Sequence, residues 1–370
     1  MEDNNDILYL IALSKVKNVG AVLAKNLISY CGSAQKVLNA KKSQLLKIPG
    51  IGEKTANEII ESNTLHDAET ELNYTLKNNI NVLSYLNDNF PFRLNRYPDA
   101  PIVLYYKGNA NLNKEKILSI VGTRAITQYG QEIIEKLICD LKHLDILIVS
   151  GLAYGVDAAA HKQCVKEEIE TVGVLGHGLD IIYPSLHKGI AKSMIERGGL
   201  ITEYGINTRP DRENFPQRNR IVAGLCDALV VIETKAEGGS MITAQYAFDY
   251  NKDVFAFPGR VYDAYSSGAN KLIKSNKAQL IEDADDLMKC MSWDIDINSK
   301  KINKNNVLFV ELNESEQEVM NIIKGADAVH IDVLYQKVDK TPGILASILL
   351  ELEFKGLIHE HPGKRYTIAN

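Results

Sequence analysis

Between Asn81 and Ala256 the chain carries short apolar runs separated by stretches of helical length: Asn81 to Tyr85, Ile117 to Val121, Ile146 to Val149, Val172 to Leu175, Leu200 to Thr202, Ala228 to Ile232 and Val254 to Ala256. Within each run the apolar residues follow one another without polar alternation, as in strands buried on both faces. With helices between them, such strands predict an α/β fold built on a Rossmann-like, doubly wound parallel sheet. Ligands of these sheets bind beyond the carboxyl ends of the strands, so the residues directly after each run are the ones to read for chemistry.

The pattern differs at both ends. Asn5 to Ser62 reads as short helices separated by two glycine turns, Lys17-Asn18-Val19-Gly20 and Ile48-Pro49-Gly50-Ile51-Gly52, each followed by an apolar-periodic run. The second turn resembles the hairpin of a helix-hairpin-helix (SAM-like) unit, and the first a degenerate copy. Toward the other end, Ser292 to Asn306 is polar and reads as a linker. Beyond it Glu314–Lys324, His330–Val338 and Pro342–Lys355 read as three helices and Leu357–Ile368 as a hairpin turning at His361-Pro362-Gly363-Lys364, together a winged helix. Thr341 is the expected N-cap of the third helix, with Pro342 at its first position. The expected domains are residues 1–65, 66–290 and 312–370, with a linker at 291–311.

Composition narrows the function. Of 370 residues 45% are hydrophobic, enough for a sizeable core, and no apolar run approaches the ~20 residues of a membrane span. Met1 to Asp6 is acidic where a signal peptide carries positive charge, so the expected location is the cytoplasm and no membrane partner is expected. The five cysteines form no C-x-x-C pair, which points to reduced thiols and neither zinc nor disulfides. The net charge of -5 means that any nucleic-acid site must be a local concentration of Arg and Lys.

Three consecutive strands end in glycine-bearing loops: Gly122-Thr123-Arg124 running to Thr127, Ser150-Gly151 running to Gly155 and Asp157, and Gly176-His177-Gly178 running to Asp180 and Tyr183. Glycine there lets backbone approach a phosphate, and Arg124 can add a bidentate contact. A fourth loop, Thr208 to Arg220, supplies Arg209, Arg212, Arg218 and Arg220 around Phe215 and Asn219. Arginine beside an aromatic suits a strand whose phosphates need neutralising and whose bases need a stacking face. The alternative is that Arg218 and Arg220 are salt-bridge partners of Asp211 and Glu213. A fifth loop, Glu237 to Ala244, offers Gly239 and the hydroxyls of Ser240 and Thr243. Lys271, Lys274 and Lys277 share one helical face as an outer track.

Taken in order, the motifs G-T-R…Y-G, S-G-L-A-Y-G-V-D…A-H, L-G-H-G-L-D-I-I-Y-P, F-P-Q-R-N-R-I-V-A-G-L, G-G-S-M-I-T-A and F-P-G…S-G-A-N-K-L-I resemble those of the DprA (Smf) family over about Asn89 to Leu287. The resemblance implies single-stranded DNA binding without a cofactor and without catalysis, a homodimer, and loading of the recombinase RecA during natural transformation. It makes Arg124 the leading phosphate contact, with Gly151, Gly155, Gly178, Asp180, Phe215, Arg218, Asn219, Arg220 and Ser240 shaping the pocket. Family lysines fall near Lys188 and at Arg212. His177 stands where a smaller side chain is commoner and could make the site pH-dependent, whereas Asp157 and Asp180 are expected to brace loops. The dimer surface implied is the helix Ile242 to Tyr250 and the strand after it.

The rival function is that of a Rossmann-like phosphoribohydrolase. Its P-G-G-x-G-T-x-x-E loop needs a closing carboxylate, and here the loop reaches Gln245 without one. Nor does Gly122 open the G-x-G-x-x-G of a dinucleotide fold. The third helix of the winged helix offers Glu351 and Glu353 and only a terminal Lys355 where a groove reader projects Arg, Lys, Asn or Gln, so a protein-contact role is expected. Deleting residues 314–370 is therefore predicted to change the affinity for a single-stranded oligonucleotide by less than about threefold in an anisotropy titration, since phosphate neutralisation elsewhere dominates.

Overall fold

In the computed structural model, residues 4–293 and 312–368 are described, apart from 325–328, 339, 356 and 362–364. Residues 294–311 of the expected linker and the tip of the C-terminal hairpin lie outside the described residues, whereas Met291 ends the helix Ala284–Met291 and Trp293 packs into the core, so the linker does not begin at 291. Two compact units result, divided near residue 294.

The first unit is organised by one nine-stranded sheet: β1 (Asn81–Ser84), β2 (Val103–Gly108), β3 (Lys116–Val121), β4 (Ile146–Ser150), β5 (Glu170–Val174), β6 (Gly199–Thr202), β7 (Ala228–Val231), β8 (Asp253–Ala256) and β9 (Gln279–Leu280). Their order is β1-β2-β6-β5-β4-β3-β7-β8-β9. From β6 to β9 every pairing is parallel, whereas β1 and β2 run antiparallel along one edge. The sheet is thus mostly, not wholly, parallel, and two of its strands were not anticipated. β2 is six residues long, its apolar run Val103 to Tyr106 lying close after Pro101 and closing on Lys107-Gly108, and β9 is a two-residue edge strand with both side chains exposed, too short to show a period.

Both faces of the sheet are covered. Ile117, Val121, Leu147, Val149, Leu229 and Val231 pack into one core, and Leu118, Ile120, Ile148 and Val230 into the other. Successive residues of a strand point to opposite faces, so a strand with a core on each side must be apolar throughout. Helices Asn214–Leu225, Gly239–Asp249 and Ser267–Lys274 cover the first face, and Gln128–Leu141, Val156–Lys166 and Ala284–Met291 the second. The chain winds outward from β3 through β4, β5 and β6, then returns to place β7 on the other side of β3. A crevice opens at such a reversal, because the connections leave the sheet in opposite directions.

The helical segment comprises Asn4–Ser14, Ala21–Cys31, Ala34–Leu38, Lys42–Leu45, Glu53–Ile60 and Thr64–Lys77. Gly50 takes φ +85° and opens the second expected turn, while Gly20 and Gly52 stand as N-caps of the helices that follow their turns. This segment is not a separate body. Its core runs from Leu10, Leu13 and Leu27 through Ala68 to Ile102, Val103 and Tyr105 on and beside β2. The boundary expected at residue 65 therefore falls inside the helix Thr64–Lys77, which packs on the first helix.

A buried carboxylate ties this segment to a loop of the sheet. Glu71, 1% exposed, accepts from Lys15 Nζ at 2.9 Å and from the backbone N–H of Ile206 at 2.8 Å. A Cβ at Gly205 would lie 2.3 Å from the same carboxylate, so glycine is needed for the approach.

The second unit has the winged-helix elements the pattern predicts: helices Glu314–Lys324, Ile331–Lys337 and Pro342–Phe354, and a hairpin of Ile358–His361 and Arg365–Ile368. A two-residue strand, Val329–His330, adds to the hairpin. Thr341 occupies the N-cap position without a side-chain hydrogen bond, and proline opens the helix as expected. Val319, Ile323, Leu334, Leu345, Leu349 and Ile358 form its own core.

Replacing Glu71 with Ala strands the Lys15 ammonium and the Ile206 amide. Urea unfolding should show the first unit destabilised by roughly 2–4 kcal/mol, somewhat below a fully buried pair because Lys15 is partly exposed.

Candidate nucleic-acid interface

At the carboxyl ends of β3, β4 and β7 lies a cleft of about 680 Å³. The β3 loop contributes Gly122, Thr123 and Arg124, the β4 loop Gly151, Ala153 and Asp157, the β5 loop Tyr183, and the segment ahead of the helix Asn214–Leu225 contributes Arg212. Phe215, Arg218 and Asn219 come from that helix, Thr234 and Lys235 from the β7 loop, and Gly239, Ser240 and Thr243 from the helix after it. The lining holds Arg124, Arg212, Arg218 and Lys235 against a single carboxylate, Asp157, so the site is cationic although the chain is acidic overall.

The β3 loop is built on close contacts. Thr123 donates its N–H to Glu233 O at 2.7 Å, and Val156 donates to Thr123 O at 3.1 Å. A Cβ at Gly122 would fall 2.4 Å from the Val156 side chain, so only glycine lets the loop turn there. Arg124 emerges exposed, its guanidinium 5.6 Å from the Phe215 ring centroid. The Tyr183 ring lies 6.1 Å from Phe215. A cation and two ring faces thus meet at one end of the cleft, able to hold a phosphate and an unstacked base side by side. At the other end Lys235 Nζ stands 5.0 Å over the Tyr265 ring.

Beneath this surface Arg218 is 4% exposed and donates through Nη1 to the carbonyls of Gly151, at 2.5 Å, and Val174. Its pKa falls to about 10 because burial removes its hydration, with Asp157 opposing the shift, so it stays charged at neutral pH. Burial likewise raises the Asp157 carboxyl, while Arg218 and the Ala153 N–H, 3.2 Å away, favour its charged form. A Cβ on Gly151 would lie 2.6 Å from both Arg218 Nη2 and Asp157 Oδ2. Arg220 is bound by Glu203 at 2.5 Å. These two arginines are braces, Arg218 on backbone carbonyls with the Asp157 charge near it and Arg220 on Glu203, and neither pairs with Asp211 or Glu213 among the described residues.

Several other expected contacts stand away from the cleft or are engaged. The Thr127 hydroxyl donates to Glu233 at 2.6 Å and caps the helix Gln128–Leu141, so it serves the fold. Gly155, at φ +76°, lets the β4 loop cross the β3 loop, since a Cβ would meet Thr123 O at 2.2 Å. Gly178 and Asp180 shape the neighbouring turn, where Asp180 accepts from the Asn207 N–H at 3.1 Å, the bracing role expected for it. Lys188, Lys271 and Lys274 are exposed but do not line the cleft. Burial lowers the pKa of His177, whose Nδ1 is 2.9 Å from Gly178 O, so it is neutral at physiological pH and gives no switch there. Thr234, Lys235 and Tyr265 were missed. The lysine was visible as the cation just after a strand, but nothing in the spacing pairs it with Tyr265.

Where the rival hydrolase needs its carboxylate, Gln245 is turned to the helix surface, donating to Asp249 and accepting from Lys277 at 2.6 and 2.7 Å. The helix Gly239–Asp249 exposes Ile242 and Phe248, but the strand after it, β8, lies between β7 and β9 and is no open edge. In the winged helix, the third helix exposes Ile344, Leu350 and Phe354, and Lys355 is taken by Glu316.

The two arginines of the cleft floor and mouth should separate in unfolding experiments. Arg218→Ala leaves Asp157 buried and uncompensated and should lower stability by roughly 3–5 kcal/mol in urea titration. Arg124→Ala removes an exposed side chain and should change it by less than about 0.5 kcal/mol.

The profile of the DNA recombination-mediator protein A family matches residues 81–292, that of a SAM-like helix-hairpin-helix tandem residues 10–62, and that of the DprA winged helix domain residues 310–364. The DNA processing protein DprA of Streptococcus pneumoniae is 39% identical over 205 residues, 55% of this chain and 72% of the relative. Protein Smf of Synechocystis is 32% identical over 396 aligned positions, which cover 98% of this chain and 99% of the relative. The crystal structure of the pneumococcal protein superposes with a TM-score of 0.66 at 31% identity, covering 78% of this chain and 98% of that one. DNA processing protein A of Helicobacter pylori, described for its single-stranded DNA binding mode, superposes with a TM-score of 0.53 at 28% identity, covering 58% of this chain and 96% of its own. From the cleft's motifs through the winged helix, this chain belongs to the DNA recombination-mediator protein A (DprA/Smf) family.

Proposed function

We propose that the cleft binds single-stranded DNA without regard to sequence and that the chain acts as a recombination mediator, not as an enzyme. The observation that carries this reading is the exposed Arg124 guanidinium held 5.6 Å from Phe215 at the mouth of a cationic cleft. Phosphate contacts and ring faces attract any single strand, because every base has a π-face and no base edge is read. A duplex keeps its bases stacked inside and offers nothing to Phe215 or Tyr183. The cleft carboxylate, Asp157, accepts from the Ala153 N–H and lies against Gly151, a bracing position. Gly239 and Ser240 open a helix that no side chain caps, a second place suited to a phosphate.

Family membership supports three further parts of the reading: a homodimer, handing of the bound strand to RecA during transformation, and a cytoplasmic setting. Phe248, about two-fifths exposed on the helix Gly239–Asp249, is an apolar position suited to a protein partner, while Ile242 of the same helix lines the cleft.

The test is an anisotropy titration of labelled oligo-dT, with a duplex of equal length as control. Wild type should prefer the single strand, with affinity falling steeply as salt rises. Arg124→Ala should weaken binding about tenfold or more and reduce the log–log salt slope by about 0.7, the share of one phosphate on a single strand. Binding untouched by the substitution would discard the cleft as the DNA site.

A further inference from the structure

Across the sheet, the loops that follow β5, β4, β3, β7 and β8 stand in one row. Four strand spacings separate the first from the last, about 19 Å. The cleft occupies the row from Tyr183 to Lys235, and the last loop, residues 257–266, lies just past it.

That last loop is firmly held. Gly259 and the Asn270 side chain exchange two hydrogen bonds at 3.1 and 3.0 Å, and the Tyr129 hydroxyl donates to Pro258 O at 2.7 Å. The Thr234 N–H donates to Tyr265 O at 2.6 Å, joining the loop to the cleft wall. A Cβ at Gly259 would meet Ser266 Oγ at 2.0 Å, so the turn is also tightly packed. Yet its tip shows Tyr262 at 101% and Val261 at 80% relative exposure. A loop pinned at both ends that keeps a whole aromatic side chain in water is prepared for a contact, because most of the ordering entropy of binding is already spent.

The chemistry of this end repeats that of the other. On one side Arg124 sits by Phe215 with Tyr183 near it, and on the other Lys235 sits over Tyr265 with Tyr262 three residues before it. Arg260 adds an exposed cation beside the tip. A stacked strand advances about 3.4 Å per nucleotide, so 19 Å exceeds what one or two nucleotides span.

We infer that the loop after β8 is a second base-stacking platform, on which Tyr262 receives a base of the single strand as it leaves the cleft past Lys235. The inference rests on the cleft being the DNA site and extends it to the strand's path. Lys235 holds the phosphate between the two platforms, and Tyr262 carries no base specificity.

The experiment uses the full chain, oligo-dT of 4 and of 15 nucleotides, and a series of 15-mers each with one abasic position. Tyr262→Ala should weaken the 15-mer by roughly five- to a hundredfold, the range of one lost stacking contact, and leave the 4-mer within about twofold. Tyr262→Phe, which keeps the ring, should bind like wild type. One abasic position should weaken the wild type and cease to matter in Tyr262→Ala. If Arg124→Ala abolishes binding while Tyr262→Ala leaves the 15-mer unchanged, the platform is refuted and the cleft stands. If Arg124→Ala has no effect, the cleft falls and the platform with it. Unchanged DNA binding in Tyr262→Ala, accompanied by a changed sedimentation coefficient, would reassign the loop to a contact between protein chains.

Discussion

The buried Arg218 guanidinium is the interaction on which the cleft depends. It sits on the helix that crosses the ends of the central strands and bonds the carbonyls of Gly151 and Val174, one just beyond β4 and one at the end of β5. Both bonds leave one nitrogen, Nη1, whose two N–H groups are fixed in the guanidinium plane, so a single buried group pins two separate chain segments. Asp157, at the start of the helix that follows the β4 loop, offsets its charge, and Gly151 leaves room for both. Its remaining Nε has no hydrogen-bond partner among the described residues, an exposure of polar surface to low dielectric that the fold tolerates for the sake of the bridge.

From this brace follows the division of labour among the cations. Arg218 and Arg220 are engaged inside, by backbone carbonyls and by Glu203, so the positive charge offered outward comes from Arg124, Arg212 and Lys235. Because the floor is already neutralised and fixed, these side chains act over a surface that does not rearrange, and their charge projects into the cleft without an internal partner to absorb it. The aromatic rings beside them give each charge an apolar neighbour. A flexible single strand offers both surfaces at every nucleotide, which makes this pairing of charge and ring well matched to it.

Much of the fold was legible from the chain. Seven of the strands announce themselves because burial on both faces demands unbroken apolar runs, and the helical and winged-helix segments keep their own periodicities. β2 and β9 escaped for different reasons. β2 is a strand of full length whose apolar run, Val103 to Tyr106, sits close between Pro101 and Gly108 and so reads as part of a turn region, while β9 is only two exposed residues, Gln279 and Leu280, too few to show a period. The join between the helical segment and the sheet was also hidden, since Ile102, Val103 and Tyr105 look no different in sequence whether they pack on a strand or on a helix.

The sequence by itself determined the order of elements and which loops end the strands, because strand and helix periods and glycine turns are local properties. It also set the cluster of arginines around Phe215. The tertiary structure decided which of those arginines face water. Arg212, Arg218 and Arg220 lie within nine residues of chain, yet Arg212 lines the cleft mouth, Arg218 is buried against Gly151 and Val174, and Arg220 is partly buried beside Glu203, partners that stand at the ends of other strands. Exposure depends on which distant carbonyls and carboxylates the fold brings within hydrogen-bond reach, and no spacing along the chain encodes that. The same holds for Lys235 and Tyr265, thirty residues apart, which meet only because β7 and β8 lie side by side.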